Sequence, residues 1–236
     1  MGRFHYLKIL REPVYTKLCM VKDNERDEYF VEKSLMVNID FQKRLFENEM
    51  AVHQKLDNRY IIKFIEQLGE HCFLMEYASY GNFQRVIDSD MDEKERLRLL
   101  LNALKGLEYL HALGYAHNDI KPSNILVTGE YRAKLSDFAF SGVIDTVSFN
   151  DIPSYFYLGT EFFRPPEEKT SYVNRLSNDI YAIGKVLYLL FSGLKKTSVL
   201  DLDSIANPNI GEIVRNCLNG SYFSVEPIIR ALNVLS

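Results

Sequence analysis

The run His117-Asn118-Asp119-Ile120-Lys121-Pro122-Ser123-Asn124 gathers a carboxylate, an ammonium and a primary amide, and the apolar stretch Ile125-Leu126-Val127 follows at once. Core packing has no use for such a set. A loop between a helix and a strand does, if it must present a proton acceptor, a cation and a metal-ligating oxygen together. A second carboxylate, Asp137, stands in Ser136-Asp137-Phe138-Ala139 at the end of the next β-like segment. Two carboxylates, an amide oxygen and an ammonium are the parts of phosphoryl transfer: hard ligands for Mg²⁺, a cation for the moving phosphate and a base for the acceptor hydroxyl.

The elements that must position these groups change type along the chain. Tyr6 to Leu10, Lys17 to Lys22 and Glu28 to Leu35 read as strands, the last two joined by the polar turn Asp23-Asn24-Glu25-Arg26-Asp27. With Asp40 as N-cap, Leu45, Val52, His53 and Leu56 recur at helical spacing, and Ile61 to Leu68 and Cys72 to Glu76 are two further strand candidates. Glu49 lies on the apolar face of that helix, so its carboxylate points toward protein and needs a counter-charge. After Gly81 the pattern turns helical: Asp92 with Glu95 forms a capping box, and Leu97, Leu100, Leu101, Leu104 and Leu107 form an apolar stripe. Asp179 to Ser192, ending at Gly193, is a second strong helix, with weaker patterns over Ile210 to Leu218 and Val225 to Leu235. The expected architecture is α+β, a small β-rich lobe with one helix before a larger, mainly helical lobe, divided near Ala78 to Gly81.

Composition excludes several classes. With 28 Lys plus Arg against 32 Asp plus Glu, no basic field favours nucleic acid or an anionic membrane. Cys19, Cys72 and Cys217 are odd in number and widely spaced, which fits neither a disulfide framework nor a zinc site. Gly2 is followed by Tyr6 where a myristoylation signal wants Ser or Thr, and the Ile180 to Phe191 run is too short to span a bilayer. A soluble, intracellular protein, in cytoplasm or nucleus, is expected.

Taken together, the motifs resemble the eukaryotic protein kinases. His117 to Asn124 is similar to the catalytic loop H-R-D-L-K-P-x-N, Asp137-Phe138-Ala139 to D-F-G, and Pro165-Pro166-Glu167 to A-P-E. Asp179 resembles the aspartate that braces the catalytic loop, and Phe30-Val31-Glu32-Lys33 resembles V-A-I-K. The resemblance implies a two-lobed kinase fold in a single domain over residues 1–236, with the N-lobe about 1–77, the hinge about 76–81 and the C-lobe about 82–236. It implies Asp119 as the base, Lys121 on the γ-phosphate, and Asn124 and Asp137 on Mg²⁺. Lys33, paired with Glu49, would hold the α- and β-phosphates of ATP. Leu10, Leu18, Val31, Met75 as gatekeeper, Glu76, Tyr77, Ala78 and Leu126 would surround the nucleotide. His117 and Phe138 are read as packing residues. Lys121 is similar to serine/threonine rather than tyrosine kinases, and Gly159 to Glu167 resembles the segment that docks a peptide, with Thr160 bridging Asp119 and Lys121.

The pattern also has departures. Aligned without a gap from Lys33, Leu10 to Leu18 falls where the family has L-G-x-G-x-x-G-x-V, and Arg11, Pro13 and Thr16 replace the three glycines. Glycine allows backbone N–H groups to approach phosphate closely, and proline has no N–H to offer. Arg11 or Lys17 could bind phosphate by side-chain charge instead, or both are ordinary surface cations. Ala139 replaces the last glycine of D-F-G, and Asn118 replaces the arginine that grips an activation-segment phosphate in many relatives. Phosphorylation of Ser141, Thr146, Ser148, Ser154 or Tyr155 is therefore not expected to be the switch. Asn82 and Ser123 stand where arginine-directed kinases carry acidic residues, and either Arg215 or Arg230 would pair Glu167. The stretch beyond Gly193 is short for the family's last helices, so trimmed docking surfaces and control by a regulatory protein partner are expected.

Three functions fit these residues. A serine/threonine kinase acting on protein substrates keeps every group that touches phosphate or metal. A pseudokinase used as a binding or scaffold module would explain the missing glycines and Ala139. A small-molecule phosphotransferase shares H-x-D-x-x-x-x-N but lacks the peptide-docking segment.

Overall fold

The structure, a computed structural model, describes residues 2–11, 14–149, 161–166, 172–173, 175–193 and 200–235. The expected β-rich part is a five-stranded antiparallel sheet in the order β1-β2-β3-β5-β4. Its strands are β1 (Phe4–Arg11), β2 (Thr16–Asp23), β3 (Glu28–Leu35), β4 (Phe64–Gly69) and β5 (Cys72–Glu76), and α1 (Asp40–His53) connects β3 to β4. In the β2–β3 turn Asp23 Oδ1 accepts from the Glu25 N–H at 2.9 Å, and Asp27 takes a φ of 55°. Short Asx-type turns of this kind are why a polar run between apolar strands reads as a hairpin.

The two faces of this sheet bury different side chains. Leu18, Val31 and Met75 pack toward α1 with Phe46, Met50 and Phe73, while Val21, Phe30 and Leu74 pack together on the other face. The alternation follows from the two-residue period of a strand.

The remainder is mainly helical. It comprises β6 (Gly81–Asn82), α2 (Phe83–Ile87), α3 (Glu93–Ala112), β7 (Tyr115–Ala116), β8 (Ile125–Val127), β9 (Ala133–Leu135), β10 (Gly142–Val143), β11 (Val147–Phe149), β12 (Tyr172–Val173), α4 (Leu176–Phe191), α5 (Pro208–Leu218) and α6 (Glu226–Asn233). Leu97, Leu100, Leu104 and Leu107 of α3 are fully buried against Ile183, Val186 and Leu190 of α4 and Ile228 and Leu232 of α6 in one core. Each such leucine is worth roughly 1.5–3 kcal/mol of transfer free energy. Gly193, at a φ of 67°, closes α4 in the left-handed conformation that glycine adopts without steric cost.

Several local expectations are corrected. Asp40 is the first helical residue of α1, and Ile39 before it makes no capping bond. Asp92 accepts from the Glu95 N–H at 2.8 Å, but the Glu95 carboxylate turns to Arg98, so only half of the capping box forms. The strand expected from Ile61 begins at Phe64, because Ile61 pairs instead as a lone parallel bridge with Leu135. That bridge joins the two lobes, with Ile62 N–H donating to the Leu135 carbonyl and Leu135 N–H to the Tyr60 carbonyl, each at 2.9 Å. Asp179 sits inside the first turn of α4, which starts at Leu176. Pro13, Ser154, Tyr155, Gly159, Thr160 and Glu167 lie outside the described residues.

Candidate active site

Lys33 leaves the middle of β3 and meets Glu49 of α1, with Nζ 2.7 and 2.6 Å from the two carboxylate oxygens and 3.4 Å from Asp137 Oδ1. Lys33 is 6% exposed and Glu49 2%, so either charge alone would be costly and the pair is held by mutual need. Burial works against the Lys33 ammonium, but Asp137 and Glu49 outweigh it and raise its pKa. Burial pushes Glu49 up to about 7, against the pull of Lys33 and with help from Asp137, which competes for the same ammonium. Asp137 is also pushed up by burial, yet Lys33 and Lys121 prevail and bring it to about 2, so it stays ionised.

The loop after β7 forms the second half. Lys121 Nζ donates to Asp119 Oδ2 at 2.6 Å, and Asn124 Nδ2 donates to the same oxygen at 2.8 Å and to the Asp119 carbonyl at 2.9 Å. Asp119 Oδ1 is buried and, among the described residues, without a hydrogen-bond partner. Burial raises the Asp119 pKa, with Lys121 opposing and Asp137 adding. One oxygen is thus fixed in place while the other keeps its lone pairs for a proton.

What holds this loop is Asp179, fully buried, which accepts the His117 and Asn118 backbone N–H groups at 2.7 Å each and lies 2.8 Å from His111 Nε2. Asn118 and Asp137 both take a φ of 64°, a region that Asn and Asp enter more readily than other side-chain-bearing residues. Ala139 needs no positive φ. The glycine it replaces is thus not demanded by this conformation. His117 and Phe138 are fully buried with ring centroids 5.3 Å apart, as packing residues should be.

Of the residues expected around the nucleotide, Leu18, Val31, Met75, Tyr77, Ala78 and Leu126 converge on one apolar group at the junction of the lobes. Two do not join it. Leu10 is 40% exposed at a bulge in β1. Glu76 turns away, its carboxylate 2.6 and 2.7 Å from Lys134 Nζ and accepting from the Lys63 N–H, because strand alternation sends it to the face opposite Met75.

Three contributors have contacts that the motifs do not assign. Asn48 Nδ2 donates to the carbonyls of Ala139 and Ser141 at 2.9 Å each, which ties α1 to the segment after Asp137. Asn118 Nδ2 holds the Phe140 carbonyl at 2.9 Å from the other side. His53 packs its ring 5.1 Å from Phe138. Only its apolar-face position on α1 hints at this in sequence; nothing marks Asn48.

A protein kinase domain family model matches residues 4–224. The chain is 33% identical over 190 residues to the probable serine/threonine-protein kinase PBL28 of Arabidopsis thaliana, covering 75% of this chain and 50% of that protein. It is 32% identical over 162 residues to serine/threonine-protein kinase 4 homolog B of Dictyostelium discoideum, covering 64% and 14%. With serine/threonine-protein kinase PLK4 of Nematostella vectensis it shares 28% over 186 residues, covering 76% and 19%. The chain therefore spans half or less of the length of these relatives.

Proposed function

The chain belongs to the protein kinase family, and we propose that it is an active serine/threonine kinase, transferring the γ-phosphate of Mg-ATP to hydroxyls of protein substrates. The observation that carries this is Asp119: Oδ2 is fixed by Lys121 and Asn124, and Oδ1 is buried and unpartnered among the described residues. An acceptor hydroxyl placed at Oδ1 is oriented and relieved of its proton as it attacks, and Lys121, already beside Asp119, is positioned for the charge on the transferring phosphoryl group.

The donor set fits Mg²⁺. Asn124 commits its amide nitrogen to Asp119, leaving Oδ1, among the described residues, with only a 3.3 Å bond from Ser123, and Asp137 is held ionised. Both offer hard oxygen, the ligand type this ion prefers. When bound, Mg²⁺ supplies charge neutralisation between phosphate oxygens. Lys33, oriented by Glu49, would take the α- and β-phosphates, and the apolar group around Val31, Met75 and Leu126 would exclude water from the base.

A single catalytic unit hinged about residues 76–81 is part of this reading. An intracellular setting agrees with three unpaired thiols, and among the described residues no helix is long and apolar enough to cross a membrane. Protein substrates and a regulatory protein partner complete it.

Purified protein with labelled ATP, Mg²⁺ and generic protein substrates, beside an Asp119→Ala control, tests the proposal. Label on serine and threonine well above the control is expected, and incorporation no greater than the control would falsify it. The scaffold reading has one specific observation in its favour, the replacement of all three loop glycines. It predicts no thermal stabilisation by Mg-ATP, where ligand at 100 times its dissociation constant should otherwise add ~2.7 kcal/mol.

A further inference from the structure

Between β1 and β2 the pairing slips twice, once between Tyr6 and Lys8 and again between Ile9 and Arg11. The slip next to Arg11 sets its face: Ile9 faces Cys19, but Arg11 faces Leu18, so Leu10 is an extra residue on β1. Cys19 faces Glu32, and it shares its side of the sheet with Val21 and Phe30. Without the slip Arg11 would face Lys17 and point to that side as well. A one-residue bulge reverses the face of every residue beyond it.

Arg11 is thereby placed on the rung Arg11, Leu18, Lys33, Phe73. Directly opposed residues project to the same face. Leu18 packs in the apolar group with Val31, Met75 and Leu126, and Lys33 turns to Glu49 and Asp137. The guanidinium therefore faces the cleft, at the end of the strand where the family's glycine loop begins. Lys17, the other candidate cation, faces Ser34 on the opposite side and is eliminated.

We propose that Arg11 is a phosphate ligand of the nucleotide site, its side chain replacing the backbone donors that the family's glycines make available. The proposal rests on the nucleotide-binding reading above. Among the described residues Arg11 makes no ion pair, and it is exposed. A cation with no ion-pair partner among the described residues, on the same rung as Lys33, is suited to an anionic guest, and guanidinium matches phosphate through two parallel N–H bonds. A chain without the family's loop glycines thus retains a way to bind phosphate, and the affinity becomes salt-sensitive.

The test is calorimetric titration of the whole chain with Mg-ATP and, separately, with adenosine, for wild type, Arg11→Met, Arg11→Lys and Lys17→Met. Arg11→Met is expected to weaken Mg-ATP about 10-fold or more, a charge-assisted contact's worth, while adenosine binds as before. Arg11→Lys should recover part of the loss, and Lys17→Met should match wild type. Wild-type Mg-ATP affinity should also fall more steeply with ionic strength than that of Arg11→Met. If Arg11→Met binds Mg-ATP as tightly as wild type, the proposal is overturned and the kinase reading stands. Equal weakening of Mg-ATP and adenosine also overturns it, since that marks damage to the sheet. A wild-type protein that binds no Mg-ATP overturns both readings together.

Discussion

His53 ends α1 with its ring 1% exposed, 5.1 Å from Phe138 and 5.5 Å from Phe64, and Nε2 is 2.5 Å from the Ile62 carbonyl, so that nitrogen carries the proton and donates it. Among the described residues Nδ1 is buried without a partner. Burial is the main reason its pKa falls from 6.5 to about 4, with Lys33 adding to the fall and the Ile62 bond and Asp137 opposing it. The unfolded chain therefore binds a proton below pH 6.5 that the native state refuses until about 4. Stability from this group is complete above pH 6.5 and is lost as pH falls toward 4. At 1.36 kcal/mol per pKa unit, a fall of this size corresponds to about 3 kcal/mol, a large share of the ~5–15 kcal/mol that holds a domain. Urea unfolding at intervals from pH 7 to pH 4, on wild type and His53→Leu, isolates the effect because the carboxylates titrate in both. The variant should start about 1 kcal/mol lower at pH 7, having lost the Ile62 bond, and then decline less steeply by about 3 kcal/mol. Parallel profiles would refute the assignment of acid sensitivity to His53.

Asp179→Ala strands two buried N–H groups, and thermal unfolding should show a loss of about 2–6 kcal/mol together with collapse of phosphoryl transfer; unchanged activity would mean that the catalytic loop keeps its shape without this brace. Asn48→Ala removes the clamp on Ala139 and Ser141 and should lower kcat while phosphatase treatment of wild type leaves activity intact; a large loss on phosphatase treatment would show that an added phosphate, rather than Asn48 and Asn118, orders this segment. A Cβ on Gly106 would stand 2.6 Å from the Tyr60 carbonyl oxygen, the acceptor for Leu135 at the lobe junction, so Gly106→Ala should destabilise by about 1–3 kcal/mol although alanine is the better helix former. A melting temperature at or above wild type would show that α3 shifts to make room.

Much of the site is legible in sequence because its chemistry is contiguous. Asp119, Lys121 and Asn124 lie within one loop, and the contacts that fix Asp119 run between residues two and five apart. β3 and β5 begin and end where the residues predict, since apolar and β-branched side chains bounded by polar turns carry their period in a short window. The place of Glu49 on the apolar face of α1 points to a need for a cation, although taken singly Glu49 or Lys33 reads as a solvated charge, and only the ensemble of motifs pairs them.

Other features depend on pairings that no local window contains. Asn48 meets carbonyls some 90 positions away, and Asp179 meets the catalytic loop from more than 60. Asn48 reads as an ordinary solvated group until the fold closes over it, and only the resemblance to a kinase motif singles out Asp179 beforehand. Arg11 is the sharpest case: composition and spacing leave it equivalent to Lys17, and the pairing register of β1 after its second slip, at Leu10, puts it on the rung of Leu18 and Lys33 while Lys17 faces away. Residue types and short spacings determine which chemistry this chain can perform. Strand register and helix docking, set by which faces bury together, decide which of its charges take part.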